Sequence, residues 1–466
     1  MLMKTISGLN WGVIEYLFII LAGSVGFLIT YLLMPIIISH MRKKGHTGID
    51  IHKNAKMEIA ESGGLGMVLG WSVALIFIIP FFFDFLYIFL VIFLTLLLAG
   101  IIGYIDDRIK LRSRYKIFLT LLLGMFIFTA NYLDFINITD PILPILGQLR
   151  LTVIFPILIP VIVTVFSNTV NMLEGYNGEG SGTCLIAVGF LIICSILRNS
   201  AEGLLLSAIT FPVIGAFFIF NKYPAKIFPG DVGTLTMGIM IASIALFGDL
   251  LAVAFCALLQ HMSNSFFLIS SAGGFFESEV IHTTRDDIIL LKDDRIKASK
   301  EKEAILTMPR LILAKGPLRE DELVKNFYAL SLFCGCLAII ASLLTNLTIG
   351  RLDFSFTLIF SLIMFIPIGV IMYKYNRIIS ISILLSILYL FLLVLLIIIE
   401  ILILPYFTGS INLYIIKIPL NIIMALLLTI PFLLGWWYLC IKYFWKQMNR
   451  TYGSKQEPTD TIINNY

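Results

Sequence analysis

Long apolar runs recur along almost the whole chain, and they restrict the fold more than any other feature. Each run holds about 20 residues with few charges, the length that a helix needs to cross a bilayer. Backbone polar groups in hydrocarbon must be satisfied within their own segment, so we predict an all-α polytopic membrane protein. The thirteen predicted transmembrane helices are 12–39, 63–83, 85–105, 117–135, 151–170, 182–198, 203–220, 232–247, 249–272, 327–349, 354–373, 378–404 and 418–441.

Composition agrees with a membrane domain and excludes several other classes. Of the 466 residues, 59% are hydrophobic and 13% are charged, unlike a soluble globular chain. The net charge of +4 indicates no nucleic-acid partner. All six cysteines lie within apolar runs and form neither a disulfide framework nor a zinc spacing. The first apolar run is too long for a cleaved signal peptide, so we expect a retained span.

The basic residues predict the orientation of the helices. When the spans are threaded alternately, 28 Lys and Arg residues fall on one side and five on the other. The positive-inside rule makes the first side cytoplasmic, with the amino terminus outside and the carboxyl terminus inside. The polar clusters at 40–62, 104–116, 166–182, 221–233 and 273–326 all fall on that side. We therefore predict an active site on the cytoplasmic face, with 273–326 as a structured appendage containing a short hairpin or an interfacial helix.

The stretch 166–182, FSNTVNMLEGYNGEGSG, is rich in groups that lipid does not tolerate. Asn168 and Asn171 are three residues apart, so they share one face if the helix continues from the apolar run before them. The glycines that follow, from Gly175 onward, end the helix and let the backbone approach a ligand. The alternative interpretation is a polar turn between helices.

Two other clusters contain carboxylates next to helix ends. Asp106 and Asp107 close a span, and adjacent carboxylates there repel each other unless a cation lies beside them. Asp and Asn oxygens suit Mg²⁺, a hard ion that keeps substrate phosphates in its shell. Asp231 follows a Pro-Gly break, next to Phe228, an aromatic residue on which a base can stack. The alternatives are an acidic pair offset by nearby basic residues and a helix-capping aspartate.

The remaining candidates lie in loops and have simpler alternatives. Asp50, His52, Lys53 and the stretch Glu61-Ser62-Gly63-Gly64 form a cluster that also fits a solvated basic loop. His282 and Arg285 follow the ninth span, where such residues are usually at the surface. All these clusters lie at one membrane face, as moving a phosphate group between a soluble nucleotide and a lipid requires.

Four stretches together resemble a known family, the polyprenyl-phosphate N-acetylhexosamine-1-phosphate transferases. They are DIHK with ESGG (50–64), DD with LRSRYK (106–116), NTVNMLEGYNG (168–178) and YPAKIFPGDVG (223–233). In order and spacing they resemble most closely the dolichyl-phosphate GlcNAc-1-phosphate transferases of eukaryotes and archaea, over roughly residues 12–330. The bacterial translocase that starts peptidoglycan lipid intermediates is a more distant relative.

The resemblance implies Mg²⁺-dependent transfer of GlcNAc-1-phosphate from UDP-GlcNAc to a polyprenyl (dolichyl-type) phosphate, with release of UMP. This would be the first step of lipid-linked oligosaccharide assembly for protein N-glycosylation. It implies that Asn171 and Asp231 hold Mg²⁺ and that Lys116 contacts phosphate. It also implies that Asp106 and Asp107 lie at the phosphate side of the centre.

For the nucleoside side, the resemblance implies that Phe228 stacks on uracil. Asn177, with the backbone near Gly175, would read the uracil edge, and Glu61 would lie near the nucleoside. The family's basic cluster in the last cytoplasmic loop corresponds most nearly to His282 and Arg285, with Arg310 further on. The substrate-binding residues then also include Asp50, Lys53 and Asn168.

Several alternatives stay open at this point. Another UDP-N-acetylhexosamine or phospho-sugar donor fits the same chemistry, and a homodimer is an open oligomeric state. From other classes, an ion-coupled transporter would fit intramembrane Asp and Asn, although these clusters lie at helix ends and not near the midplane. An inactive scaffold is a third option, and the intact Asn171, Asp231 and Asp106–Asp107 pair argue against it. The predicted division is a ten-span core at 1–349, a three-span extension at 350–445 and a cytoplasmic tail at 446–466. The membrane is the cell membrane, or the endoplasmic reticulum in a eukaryote.

Overall fold

The structure, a computed structural model, is mainly helical in the residues that it describes. It describes residues 8–374 except 10, 146, 149–153, 273–286 and 302–303, together with 410–413, 416–419, 431, 435, 438 and 442. The α-helices are α1 (Val13–Lys43), α2 (Gly64–Ile78), α3 (Leu86–Ile109), α4 (Ser113–Tyr132), α5 (Ile154–Leu173), α6 (Glu179–Arg198), α7 (Ala201–Asn221), α8 (Gly230–Phe247), α9 (Leu251–Ala257), α10 (Leu259–Ala272), α11 (Met308–Leu313), α12 (Glu320–Thr348) and α13 (Phe354–Lys374). The strands are β1 (Thr47–Ile49), β2 (Glu58–Ala60), β3 (Ile142–Leu143), β4 (Gly147–Gln148), β5 (Ile288–Leu290), β6 (Arg295–Ala298), β7 (Leu318–Arg319), β8 (Ser410–Leu413) and β9 (Ile416–Pro419).

Helix α8 is the centre of the bundle. It is apolar on all sides, as is typical of a fully enclosed helix, and every residue from Val232 to Phe247 is buried. It packs against α2, α3, α5 and α7. Close packing at its beginning depends on glycine, because a Cβ atom on Gly64 of α2 or Gly103 of α3 would overlap the α8 backbone. This contact brings the end of α3 beside the beginning of α8.

Within the described residues, ten helices are long and apolar enough to cross a membrane, and a bent pair can provide an eleventh span. These helices agree with the first eleven predicted spans. The predicted spans 378–404 and 418–441 lie outside the described residues. The chain is a multi-pass integral membrane protein, and its division into core, extension and tail stays a prediction.

The predicted single helix over 249–272 is wrong in one respect. The chain bends by 69° between α9 and α10, although neither proline nor glycine stands at the break. The polar residues just after it are buried and have partners in neighbouring helices. Gln260 Nε2 donates to Ser331 Oγ at 2.6 Å, and His261 Nε2 lies 3.0 Å from Thr183 Oγ1. These hydrogen bonds of polar side chains to neighbouring helices set the bent segment apart from a continuous apolar helix.

The appendage contains the predicted hairpin. Strands β5 and β6 pair antiparallel, β7 adds to β6, and α11 packs against the sheet. Its apolar side joins Leu173, Tyr176 and Phe327 in one cluster of buried residues. The loop between β1 and β2 contacts the turn between β5 and β6, where Asn54 Nδ2 donates to Asp294 Oδ1 at 2.7 Å. The appendage therefore supports one end of the helix bundle.

Candidate active site

A cavity of about 600 Å³ opens at one end of the bundle, where α3 and α5 end and α4, α6, α8 and α12 begin. Its volume lies in the range usual for small-molecule sites. Seventeen of the lining residues have polar or aromatic side chains. They are Asp50, His52, Glu61, Asp106, Asp107, Lys110, Ser113, Lys116, Asn168, Asn171, Glu174, Tyr176, Asn177, Phe228, Asp231, Thr234 and Glu320.

Lys116 links two of the carboxylates at the base of this cavity. Its Nζ lies 2.7 Å from Asp106 Oδ2 and 2.9 Å from Asp231 Oδ2. Asp106 is 1% exposed, and its Oδ1 accepts the Leu111 N–H at 2.7 Å just after α3 ends. Lys110 ends α3 in the left-handed conformation, which turns the chain so that α4 begins beside α3. The local backbone thus sets the Asp106–Lys116–Asp231 bridge.

Asp107 is fixed by a different set of donors. Ser62 Oγ donates to its Oδ2, and the Asp231 N–H donates to its Oδ1, both at 2.6 Å. The second bond places the carboxylate at the positive end of the α8 dipole. Gly230 has φ +64°, and a Cβ atom there would overlap the Asp107 carboxylate. A glycine is therefore needed at this position for two separate reasons.

Asn171, in the last turn of α5, faces the first turn of α8. Its Nδ2 lies 2.5 Å from Asp231 Oδ1 and 2.7 Å from Thr234 Oγ1. The N-cap of α8 is Pro229, so Asp231 lies within the first turn and its side chain does not cap the helix. The capping alternative for Asp231 is wrong for this reason. Its carboxylate instead contacts Lys116 and Asn171.

The charge balance of this group favours a cation. Asp106, Asp107 and Asp231 are close together, and among described residues Lys116 is the one salt-bridge partner of Asp106 and Asp231, while Asp107 has none. An excess of carboxylate in a partly buried place is unfavourable unless a positive ion offsets it. The atoms that could bind a metal ion here are carboxylate and amide oxygens, the ligands that Mg²⁺ prefers. The residues present therefore fit a hard divalent cation.

A second buried cluster lies on the other wall of the cavity. Lys53 Nζ lies 2.5 Å from Asp50 Oδ2 and 3.5 Å from Glu320 Oε2. Burial lowers the pKa of Lys53, but its hydrogen bond to Asp50 and the charge of Glu320 outweigh burial and raise the pKa overall. Asn177 donates to both carboxylates through Nδ2, each at 3.1 Å.

His52 completes a possible metal-ligand group with Asp50 and Glu320, since their ligand atoms all lie within 4.8 Å of one another. The Lys53 ammonium already offsets one of the two carboxylate charges, however, and the His52 ring stacks on Tyr176 at 4.2 Å between centroids. Each of the two groups contains one ammonium, but the Asp106, Asp107 and Asp231 group has three carboxylates and this group has two. The Asp106, Asp107 and Asp231 group has the larger excess of negative charge and is the better cation site.

The predicted residues Phe228, Gly175 and Glu61 also line the cavity. Burial raises the pKa of Glu61, and the charges of Arg108 and Lys110 partly oppose that rise. Asn168 lines the cavity as well, but its Nδ2 donates to Thr120 Oγ1 and to the Thr164 carbonyl, both at 2.9 Å.

The structure brings together all predicted site residues that it describes, either in the cavity wall or, for Lys53, in contact with that wall. His282 and Arg285 lie outside the described residues, so their roles stay predictions. Arg310 serves the appendage instead. It is 1% exposed and donates to four backbone carbonyls, including those of Ser299 at 3.1 Å and Glu301 at 2.8 Å.

Sequence reasoning missed Glu320, and it placed Ser62 in a candidate cluster without a role. Glu320 lies in an acidic run at the beginning of α12, which resembles ordinary first-turn acids that favour a helix dipole. Ser62 stands next to two glycines and has φ +61°, but nothing in its sequence position indicates the bond to Asp107.

Comparison with known proteins adds an independent line of observation. Residues 89–249 match the model of glycosyl transferase family 4. A protein of Methanocaldococcus jannaschii, provisionally named as a glycosyltransferase, is 30% identical over 298 residues, covering 64% of this chain and 88% of the relative. The chain belongs to glycosyl transferase family 4. This result confirms the resemblance drawn from the four motifs, and the family is one of polyprenyl-phosphate hexosamine-1-phosphate transferases.

Two further relatives cover less of the chain. A Sulfolobus acidocaldarius protein is 30% identical over 259 residues, 53% of this chain and 77% of the relative. It is provisionally named as a UDP-N-acetylglucosamine–dolichyl-phosphate N-acetylglucosaminephosphotransferase. The phospho-N-acetylmuramoyl-pentapeptide-transferase of Streptococcus uberis is 30% identical over 247 residues, 49% of this chain and 72% of the relative. The family is thus shown, while these relatives differ in the donor that their names state.

Proposed function

We propose that this protein transfers GlcNAc-1-phosphate from UDP-GlcNAc to a polyprenyl phosphate of the dolichyl type and releases UMP. The observation that carries the proposal is the convergence of Asp106, Asp107, Asp231, Asn171 and Lys116 at one end of the bundle. The name of the Sulfolobus acidocaldarius relative supports this donor and acceptor. The reaction begins lipid-linked oligosaccharide assembly.

The proposed step is a direct displacement at the β-phosphorus of the nucleotide sugar. An oxygen of the lipid phosphate forms the new P–O bond, and the bond from the β-phosphorus to the bridging oxygen breaks. UMP leaves with that oxygen. A phosphate monoester has a second pKa near 6, so the lipid phosphate is largely dianionic at neutral pH and needs little help from a base.

The roles of the residues follow from charge and position. Asn171 and Asp231 would hold Mg²⁺, which when bound neutralises charge on the phosphates. Lys116 adds a fixed positive charge beside the transferred phosphate. Asp106 and Asp107 hold Lys116 and the beginning of α8 in place, and so orient the centre.

The two substrates would approach from different directions. The apolar side chains of Ile117, Met172 and Leu268 line part of the cavity, and they suit the first isoprene units of the lipid. Phe228 offers a face for the uracil ring, and Asn177 an edge contact. The excess of Lys and Arg in the loops on this side supports a cytoplasmic site.

The test is an assay of UMP release by purified protein with polyprenyl phosphate, Mg²⁺ and a panel of UDP-sugars. We expect UMP with UDP-GlcNAc, and a loss of at least about 100-fold in turnover for Asp231→Asn. Asp321→Asn is the control, since Asp321 pairs with Lys325 on the exposed side of α12. Release of UMP only with another UDP-N-acetylhexosamine would change the donor, and no release with any donor would refute the proposal.

A second assay tests the role of Asp106. If the reaction needs no base, the Asp106→Asn variant should lose the same fraction of its turnover at every pH from 6 to 9. Recovery of turnover at high pH, with substrate binding intact, would instead assign Asp106 as the base.

A further inference from the structure

The side-chain amide of Asn177 has a single allowed orientation. Its Nδ2 donates to Asp50 Oδ2 and to Glu320 Oε2, each at 3.1 Å, and its backbone N–H donates to Glu320 Oε1 at 2.8 Å. The reverse orientation would place Oδ1 against two carboxylate oxygens, which repel it. No described residue donates to Oδ1. The amide therefore offers the cavity an acceptor and no free donor.

The two carboxylates that impose this orientation are themselves fixed. Asp50 and Glu320 are 2% and 3% exposed, and the Lys53 ammonium lies between them. Lys53 Nζ also lies 4.6 Å from the centre of the Tyr223 ring, a cation–π contact that further restrains it. Residues from three distant segments, at 50–53, 177 and 320, thus form one rigid group.

An acceptor that faces N3 of the base distinguishes the two pyrimidines. Uracil carries a hydrogen on N3 and can donate to such an oxygen. Cytosine has a bare N3 with a lone pair, so two acceptors would face each other without a hydrogen between them. A site built to bond a substrate N–H rejects an analogue that lacks it by large factors, because its own polar group is left unpaired.

We propose that Glu320, together with Asp50 and Lys53, is a positioning residue that fixes the Asn177 amide with its oxygen toward the cavity and thereby selects uridine over cytidine nucleotides. This inference rests on the proposed function, because it assumes that the nucleotide base lies against Asn177. The inference names the residue that makes the site selective for one base. That residue, Glu320, begins α12, which lies outside the residues 89–249 that match the family model.

The test measures binding of UDP and CDP by calorimetry in the presence of Mg²⁺. We expect the wild-type protein to bind UDP at least about 100-fold more tightly than CDP. In Glu320→Ala one of the two carboxylates that hold the amide is lost and only Asp50 remains, so the amide rotates more easily to donate to cytosine N3 and this ratio should fall at least about tenfold. Asp321→Asn removes the same charge from the next position of the helix and should leave the ratio unchanged.

A purely structural effect of the substitution would weaken the binding of both nucleotides and leave the ratio of their affinities unchanged. If Glu320→Ala does not fold, Glu320→Gln is the second variant. It keeps the size of the side chain but has one acceptor oxygen instead of two, so the ratio of UDP to CDP affinity should fall less, by at least about threefold. An unchanged ratio in a folded variant, or a wild-type protein that binds UDP and CDP equally, would overturn the inference and leave the proposed function standing. Failure to bind either nucleotide would instead overturn the proposed function and this inference with it.

Discussion

Gly230→Ala tests whether the backbone at the beginning of α8 sets the position of Asp107. Gly230 has φ +64°, a conformation that costs an L-residue about 1–2 kcal/mol. An added methyl group would also displace the Asp107 carboxylate, which accepts from Ser62 and from the Asp231 N–H. Losing one hydrogen bond to a charged group costs about 1.5–3 kcal/mol. The expected fall in the free energy of unfolding is therefore about 2.5–5 kcal/mol.

Gly45→Ala is the matched control for this substitution. Gly45 has φ +68°, and an added Cβ atom would meet nothing within 4 Å. The control should lose only the backbone cost of about 1–2 kcal/mol and keep its turnover. The comparison of the two variants thus isolates the contact with Asp107.

Both variants are measured by thermal unfolding in detergent and by UMP release. A displacement of about 1 Å in a catalytic group can cost about 100-fold in rate. We expect Gly230→Ala to lose about that much turnover while its folded fraction stays high at the assay temperature. If Gly230→Ala matched Gly45→Ala in both stability and turnover, Asp107 would not depend on this backbone, and the proposed arrangement of the centre would be refuted.

Three other variants test separate parts of the structure. Lys116→Met should lower turnover at least about 100-fold, since Asp106 and Asp231 lose the cation that they share; turnover near the wild-type value would contradict this. Burial raises the pKa of Glu174 to about 8, so the folded state holds a proton that the unfolded chain loses at lower pH. Thermal stability should therefore fall as pH rises from 5 to 8, and the fall should be smaller in Glu174→Gln; an equal fall in that variant would contradict the assignment. Arg310→Met should lower stability by about 3–5 kcal/mol, because it leaves several buried carbonyls without a donor; a change below about 1 kcal/mol would show that water replaces it.

The membrane spans could be predicted from the sequence because a bilayer allows few solutions. Runs of apolar residues long enough to cross must be helices, and the eleven predicted spans within the described residues agree with the helices observed. The convergence of Asp106, Asn171 and Asp231 could also be predicted. These residues occupy helix ends that alternate threading brings to the same side, which limits the distance between them.

The partners of those residues could not be predicted in the same way. Glu320 bonds Asn177 across 143 positions of sequence, and no local pattern separates it from an acid that only favours the helix dipole. The bend at Leu258 lies in an apolar run without proline or glycine, so hydropathy predicts a continuous helix. Both features depend on tertiary contacts, which sequence periodicity does not contain.

Binding of Mn²⁺, followed by electron paramagnetic resonance, tests most directly where the cation lies. Mn²⁺ takes oxygen ligands as Mg²⁺ does, and its spectrum reports binding without any turnover. We predict one ion bound to the wild-type protein, at least about tenfold weaker binding in Asp231→Asn, and unchanged binding in Asp50→Asn. Weaker binding in Asp50→Asn with full binding in Asp231→Asn would place the ion at the Asp50, His52 and Glu320 group and contradict the proposed centre.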